Sequence, residues 1–330
     1  MNIDEPHQCP TVHHDEEPYD AEKAYTYMLL SAAAYAQDVQ ECLTSVYPVE
    51  NIEVQQVIAV RCDSFYAGYD ECIAYTAVSS CQKTIYISFR GSFSSEQVVD
   101  QALSSRTLKS NAFKIGGKVL NYFNDAHDSL YPCVRSQFQS LRMQYPDYKV
   151  VVTGYSIGGA LASLTAAALI HDRDIDHDKL VLYTFGMPRV GDKRFALNFG
   201  RVVRNSWNIV NYRDIVPHTP FCHLFGCNTP YNGLFHSRGE IYYSNNGDMS
   251  VNTSYTVCHE NEDRKCSSGA ISDKPCKDLS TCIEFHLKYF NVDVGAHCKN
   301  TLGARALPRP WNHKLPRQCK TFMNRKSMTA

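Results

Sequence analysis

Ser156 stands in Gly154-Tyr155-Ser156-Ile157-Gly158, with Val150-Val151-Val152-Thr153 before it and Gly159-Ala160-Leu161-Ala162 after it. A serine between two glycines, entered from a β-branched strand and left by a small-residue helix, is a nucleophile elbow. The flanking glycines permit a tight turn and a close helix–strand approach that a Cβ would block. Such a turn lifts the Ser156 hydroxyl above the sheet, where a base can reach it. The backbone N–H of Ile157, at the start of the helix, then points toward any oxyanion that forms. The chemistry implied is nucleophilic attack on an acyl carbonyl. A bare G-x-S-x-G is common by chance, and the strand–turn–helix context is what gives this one weight.

A serine nucleophile needs a base, and the base needs an orienting carboxylate. On elbow scaffolds the acid follows the serine and the histidine comes last. Asp214, in Asn211-Tyr212-Arg213-Asp214-Ile215-Val216-Pro217, lies just past a strand candidate. Carboxyl ends of strands are where an open α/β sheet collects its site residues. The plainer alternative for Asp214 is a turn residue, and residues 172–178 read as a solvated loop. His218, His223, His236, His259, His286, His297 and His313 all follow Asp214. His286 sits in Ile283-Glu284-Phe285-His286-Leu287-Lys288-Tyr289-Phe290, among aromatic residues able to hold its ring and exclude water. His236, beside the strand candidate Glu240–Tyr243, is the rival. Spacing does not choose between them, since a lone histidine is more often structural.

These residues need a scaffold of strands and helices. Tyr25, Met28, Leu29, Ala32 and Ala33 make one helical stripe over Ala21 to Ala36. Strands are expected at Val54–Val60, Ile73–Val78 and Thr84–Phe89, and after the elbow at Leu180–Phe185, Ile209–Tyr212 and Glu240–Tyr243. Leu130, Val134, Phe138 and Leu141 place a long amphipathic helix before the elbow. Strands alternating with helices predict an α/β fold with a mostly parallel sheet covered on both faces. No internal repeat or clean domain boundary is visible. The expected organisation is a polar segment over 1–20, one folded domain over 21–298, and a basic irregular tail over 299–330.

Bulk composition narrows the class. The chain has 330 residues, 44% of them apolar, enough for a large core. A net charge of −1 gives no footing for nucleic acid. The longest apolar stretch, roughly Ala160 to Ile170, is too short to span a bilayer. Fourteen cysteines without a C-x-x-C pair favour a disulfide framework and a secretory route. Residues 1–20 carry no basic start followed by an apolar stretch, so the expectation is an exported chain whose leader is missing from this sequence. Asn252-Thr253-Ser254 is the one N-glycosylation sequon. Cys222-His223-x-x-x-Cys227 is a weak zinc alternative.

Several blocks resemble the class 3, or fungal-type, triacylglycerol lipase family of α/β-hydrolases. They are Leu30-Ser31-Ala32-Ala33-Ala34-Tyr35 with Cys42-Leu43, Ile87-Ser88-Phe89-Arg90-Gly91-Ser92, and Tyr145-Pro146-Asp147-Tyr148 leading into the elbow. Thr184-Phe185-Gly186-Met187-Pro188-Arg189-Val190-Gly191, Asp214-Ile215-Val216-Pro217, Gly239-Glu240-Ile241-Tyr242-Tyr243 and His286-Leu287-Lys288-Tyr289-Phe290 complete the series. The layout is also similar to cysteine-rich secreted animal members, nematode ones especially. The family usually has His where Tyr155 stands and Leu where Ile157 stands. Leu120-Asn121-Tyr122-Phe123 replaces its usual His-x-Gly-Phe type segment.

The resemblance implies Ser156 as nucleophile, Asp214 as orienting acid and His286 as base. It implies Ser92 and Ile157 as oxyanion donors and makes His236 a structural residue near the site. No metal and no organic cofactor is called for. It implies a lid in residues 93–105, where Val98, Val99, Ala102 and Leu103 oppose Glu96, Gln97 and Asp100; an ordinary surface helix is the alternative. Cys42 with Cys298 is the pairing the family uses. Cys258 with Cys266, Cys62 with Cys72 and Cys222 with Cys227 are the short-range pairings considered. The expected activity is hydrolysis of acylglycerols at a lipid–water interface. The alternatives are a phospholipase A1, a small-ester carboxylesterase, or a catalytically silent lipid-binding relative. Oligomeric state is not legible.

Overall fold

The central sheet grows from alternation that buries both of its faces. In β6 (Lys149–Tyr155), Val150 and Val152 join the core on one side while Val151 and Tyr155 join the cores on the other. This is the period of two expected of a strand covered by helices above and below. The computed structural model describes residues 18–46, 51–62, 71–91, 109–220, 233–273 and 279–298. The expected lid at 93–105, Ser92, the Cys222–Cys227 pairing with its zinc alternative, and the basic tail lie outside the described residues.

The sheet runs in the order β1 (Ile52–Arg61), β2 (Glu71–Ser79), β3 (Thr84–Phe89), β6, β7 (Leu180–Phe185), β9 (Ser206–Asn211), β11 (Glu240–Tyr243), β12 (Thr256–Cys258). From β3 to β11 all neighbours are parallel, and the outer pairings are antiparallel. The expected strands are all present. The Ile209–Tyr212 segment is corrected to Ser206–Asn211, because Tyr212 has a left-handed φ of 44° and leaves the ladder. A smaller sheet, ordered β10 (Leu234–Phe235), β8 (Gly191–Asp192), β5 (Lys118–Leu120), β4 (Ser110–Ala112), has strands too short to show a periodic signal.

Helix α1 (Ala21–Ala33) opens on Asp20, whose carboxylate accepts the Glu22 and Lys23 N–H groups at 2.9 and 3.1 Å. It covers one face with α2 (Val39–Val46); Ser31 and Thr153 join hydroxyls across that boundary at 2.9 Å. The helix stops at Ala33, short of the expected Ala36, and the next residues tighten into turns. The polar N-terminal segment also ends earlier than expected: Tyr19 is buried and bonds the Tyr243 hydroxyl at 2.9 Å.

The other face carries α3 (Asn121–Gln144), α4 (Ile157–His171) and α5 (Lys193–Val202). Helix α4 is buried from Ile157 through Leu169, so it is a core element with no solvent stripe. Each of Leu161, Leu164 and Leu169 contributes roughly 1.5–3 kcal/mol by its burial. The loop after α4 is only partly the solvated run expected: Asp176 and Asp178 are exposed, but Asp172 and Asp174 are tied down. Asp172 accepts Lys114 at 2.8 Å and Tyr131 at 2.9 Å, and Asp174 accepts Arg135 at 2.6 Å. Its carboxylates tie the end of α4 back to α3 and to the β4–β5 turn. Cysteine pairs form at Cys42–Cys298, Cys62–Cys72 and Cys258–Cys266.

Candidate active site

The parallel strands end together, and the residues that follow them meet there. Gly91 follows β3, Ser156 follows β6, Gly186 follows β7 and Asp214 follows β9. Ser156 has φ 59° and ψ −130°, the strained conformation of an elbow. A Cβ on Gly154 would strike the Gly158 carbonyl, and one on Gly158 would strike the Phe89 carbonyl. The two glycines of the motif therefore let the turn close and let α4 lie against β3.

His286, near the end of α7 (Leu279–Leu287), reaches both partners. Its Nε2 lies 3.0 Å from Ser156 Oγ and its Nδ1 lies 2.8 Å from Asp214 Oδ2. Ser156, Asp214 and His286 are all buried. The structure thus brings His286, and not His236, to the serine. His236 is buried nearby, with Nε2 against the Pro217 carbonyl. Burial holds its imidazole below the ordinary value, in the neutral form.

Asp214 has further donors that sequence reading did not find. Val216 N–H donates to Oδ1 at 2.9 Å, and the Tyr289 hydroxyl donates to Oδ2 at 2.6 Å. Burial, with the Asp214 charge beside it, pushes the Tyr289 hydroxyl well above its ordinary pKa, so it remains a donor. Asn211 spans His286 from behind: its Nδ2 donates to the Phe285 carbonyl at 3.2 Å and the Lys288 carbonyl at 2.8 Å. That holds the backbone on both sides of His286.

Tyr155 stacks on the His286 ring, with centroids 4.8 Å apart and planes at 25°, and its hydroxyl donates to the His286 carbonyl at 2.7 Å. The aromatic support of His286 thus comes from the elbow itself. Phe285 turns away to pack edge-on to Tyr212. Gly186, at φ 59°, has room for no side chain: a Cβ there would lie 2.7 Å from Asp214 Oδ2 and 2.8 Å from His286 Nδ1.

Ile157 opens α4, so its N–H belongs to the first-turn donors that have no acceptor within the helix. The other expected oxyanion residue, Ser92, lies outside the described residues. Its neighbour Gly91 donates its N–H to Tyr35 Oη at 2.9 Å, and a Cβ on Gly91 would lie 3.2 Å from Ser156 Cβ. The chain leaving β3 therefore passes directly beside the serine. Among the described residues, Glu240, Cys258 and Cys266 cluster closely enough for a metal, but the two sulfurs are joined in a disulfide and offer no thiolates.

Residues 86–224 match the lipase (class 3) family. A Caenorhabditis elegans lipase is 32% identical over 299 residues, covering 85% of this chain and 82% of that protein. A Rhizomucor miehei lipase is 33% identical over 229 residues, and the chain spans 67% of itself and 56% of that relative's length. The solved structure of the R. miehei triacylglyceride lipase superposes with a TM-score of 0.68 at 28% identity, over 84% of this chain and 96% of the other. A secreted mono- and diacylglycerol lipase of Fusarium solani is 30% identical over 148 residues, 44% of this chain and 42% of that protein.

Proposed function

The chain belongs to the class 3 lipase family, an α/β-hydrolase that releases fatty acids from acylglycerols, and we propose that Ser156, His286 and Asp214 carry out this hydrolysis. The observation that carries the assignment is the continuous line Ser156 Oγ to His286 Nε2 at 3.0 Å and His286 Nδ1 to Asp214 Oδ2 at 2.8 Å. His286 Nε2 takes the Ser156 proton as Oγ attacks the ester carbonyl, and returns it to the departing alcohol. Asp214 holds the imidazole with Nδ1 protonated and stabilises the cation that forms. The acyl group stays on Ser156 until a water, deprotonated by His286, releases it as fatty acid. The Ile157 N–H is one oxyanion donor, typically worth about 3 kcal/mol of barrier. Ser92 is assigned the other by its place in the Arg90-Gly91-Ser92 motif.

The substrate reading is an acylglycerol met at a lipid–water interface. Ser156 is 1% exposed, so an ester reaches it only after the mouth of the site opens. A lipid surface supplies an apolar phase that favours such an opening. The disulfides, and the similarity to a secreted Fusarium lipase, support export through the secretory pathway. No helix among the described residues is long and apolar enough to cross a membrane. Asn252 is exposed in the turn between β11 and β12, open to N-glycosylation in an exported chain.

The test is fatty-acid release from emulsified triacylglycerol and from a soluble short-chain ester, by the native protein and Ser156→Ala. Emulsion activity that falls by roughly a millionfold in the variant establishes this serine as the nucleophile. Turnover of the soluble ester alone removes the interfacial reading. Turnover of phospholipid in preference to triacylglycerol makes the enzyme a phospholipase.

A further inference from the structure

We propose that Glu262 is a positioning residue for the catalytic acid, acting through Arg189 and His236 on the turn that follows Asp214. This rests on the assignment of Asp214 as the triad acid. That turn, Val216–His218, supplies the Val216 N–H to Asp214 Oδ1. The Val216 carbonyl is capped by Thr219, and the carbonyls of Pro217, His218, Thr219 and Pro220 are held by two residues, Arg189 and His236. Arg189 Nη1 donates to the His218 carbonyl and, at 3.3 Å, to the Pro220 carbonyl, and Arg189 N–H donates to the Thr219 carbonyl at 3.0 Å. His236 Nε2 meets the Pro217 carbonyl.

Both holders hang on one carboxylate. Glu262 takes Arg189 Nε at 2.7 Å on Oε1 and Arg189 Nη2 at 2.8 Å on Oε2, a two-pronged pair that fixes the guanidinium plane. Oε1 also accepts the His236 N–H at 2.8 Å, and Oε2 accepts the Ser268 hydroxyl at 2.9 Å. Asn261 Nδ2 adds a bond to the His236 carbonyl at 2.6 Å. Glu262 itself has a left-handed φ of 54°, an unfavourable conformation for glutamate that its surroundings must impose. Those surroundings are the loop closed by the Cys258–Cys266 disulfide and the start of α6 (Ser267–Asp273). Burial opposes ionisation of Glu262, but Arg189 outweighs it and holds the carboxyl well below its usual range.

Glu262 does not itself touch that turn; it fixes the Arg189 guanidinium and the His236 backbone, and these two hold the turn that hydrogen-bonds Asp214. Displacing that segment moves the acid relative to His286, and displacements of about 1 Å in a catalytic group cost up to roughly a hundredfold in rate. Such a loss falls on kcat and spares KM, because the substrate is not touched.

The experiment measures kcat and KM on p-nitrophenyl butyrate, well below the melting temperature, for Glu262→Gln, Asp214→Asn and the double variant. The expected result is a kcat loss of about tenfold to a hundredfold in Glu262→Gln, unchanged KM, and no further loss when it is added to Asp214→Asn. Folded Glu262→Gln with native kcat overturns the proposal. So does a loss that persists undiminished on the Asp214→Asn background, since that is general structural damage. Native kcat in Asp214→Asn would instead overturn the triad assignment. If Glu262→Gln does not fold, Ser268→Ala, which removes one hydrogen bond from Glu262, decides: about threefold lower kcat, absent on the Asp214→Asn background, supports the proposal, and native kcat overturns it.

Discussion

The Tyr155 ring lies flat against His286, 4.8 Å away, while its hydroxyl donates at 2.7 Å to the carbonyl of the same histidine. One side chain of the elbow therefore fixes both the ring and the backbone of the base. Tyr155→Phe keeps the ring contact and removes the donor, leaving a buried carbonyl unpaired at a cost of about 1 kcal/mol or more. The expected outcome is a kcat lower by about threefold to tenfold with little change in KM. Steady-state kinetics check it, and a native kcat would show that the hydroxyl only packs.

Tyr289 is the next group to test. Its hydroxyl meets the same Asp214 oxygen that faces His286 Nδ1, at 2.6 Å. Tyr289→Phe deprives a buried charge of a donor and is expected to lower stability by about 2 kcal/mol. Loss of aim at His286 should lower kcat by about tenfold. Thermal unfolding and kinetics on one preparation separate the two effects.

Gly186 leaves no space for a methyl group between the acid and the base. Gly186→Ala places a Cβ 2.7 Å from Asp214 Oδ2, at a φ of 59° that alanine disfavours. Activity should fall by roughly a thousandfold or more as the pair is pushed apart. Gly295→Ala is the control, because nothing lies within 4 Å of a Cβ there. It should stay within about 0.5 kcal/mol of native stability and keep full activity. Equal behaviour of the two variants would refute the steric argument.

Glu240 gives the fold a pH dependence of predictable sign. It is buried on β11, with Ser267 N–H donating to it at 2.9 Å, and burial raises its pKa from an ordinary 4.5 to about 7. The folded chain therefore holds this proton more tightly than the unfolded chain. The stability it contributes is complete below pH about 4.5 and is lost as the pH rises through about 7. Glu240→Gln should match the native protein near pH 4 and exceed it by about 3 kcal/mol at pH 8. Denaturant unfolding at the two values tests this, and a difference that does not change with pH would remove Glu240 as the cause.

The sequence by itself determined the elbow, the positions of the strands on either side of it and Asp214 as a candidate acid. Those signals are local: Val150 to Thr153 must be a strand, the glycines beside Ser156 must sit where Cβ atoms would collide, and Asp214 must follow a strand end. It left His286 and His236 equal on spacing, and the resemblance to known lipases chose between them. Only the tertiary structure shows why: α7 delivers His286 across 130 residues to Ser156, while His236 is turned to the Pro217 carbonyl. The same holds for Tyr155, Tyr289, Gly186, Asn211 and Glu262. Each acts through a partner distant in sequence, so no periodicity or neighbouring residue announces it. Asp172 and Asp174 escape a solvated-loop reading for the same reason, because their cations lie on α3 and in the β4–β5 turn, while Asp176 and Asp178 are exposed as expected. Local chemistry names the nucleophile; the packing of distant segments decides which groups aim, support and surround it.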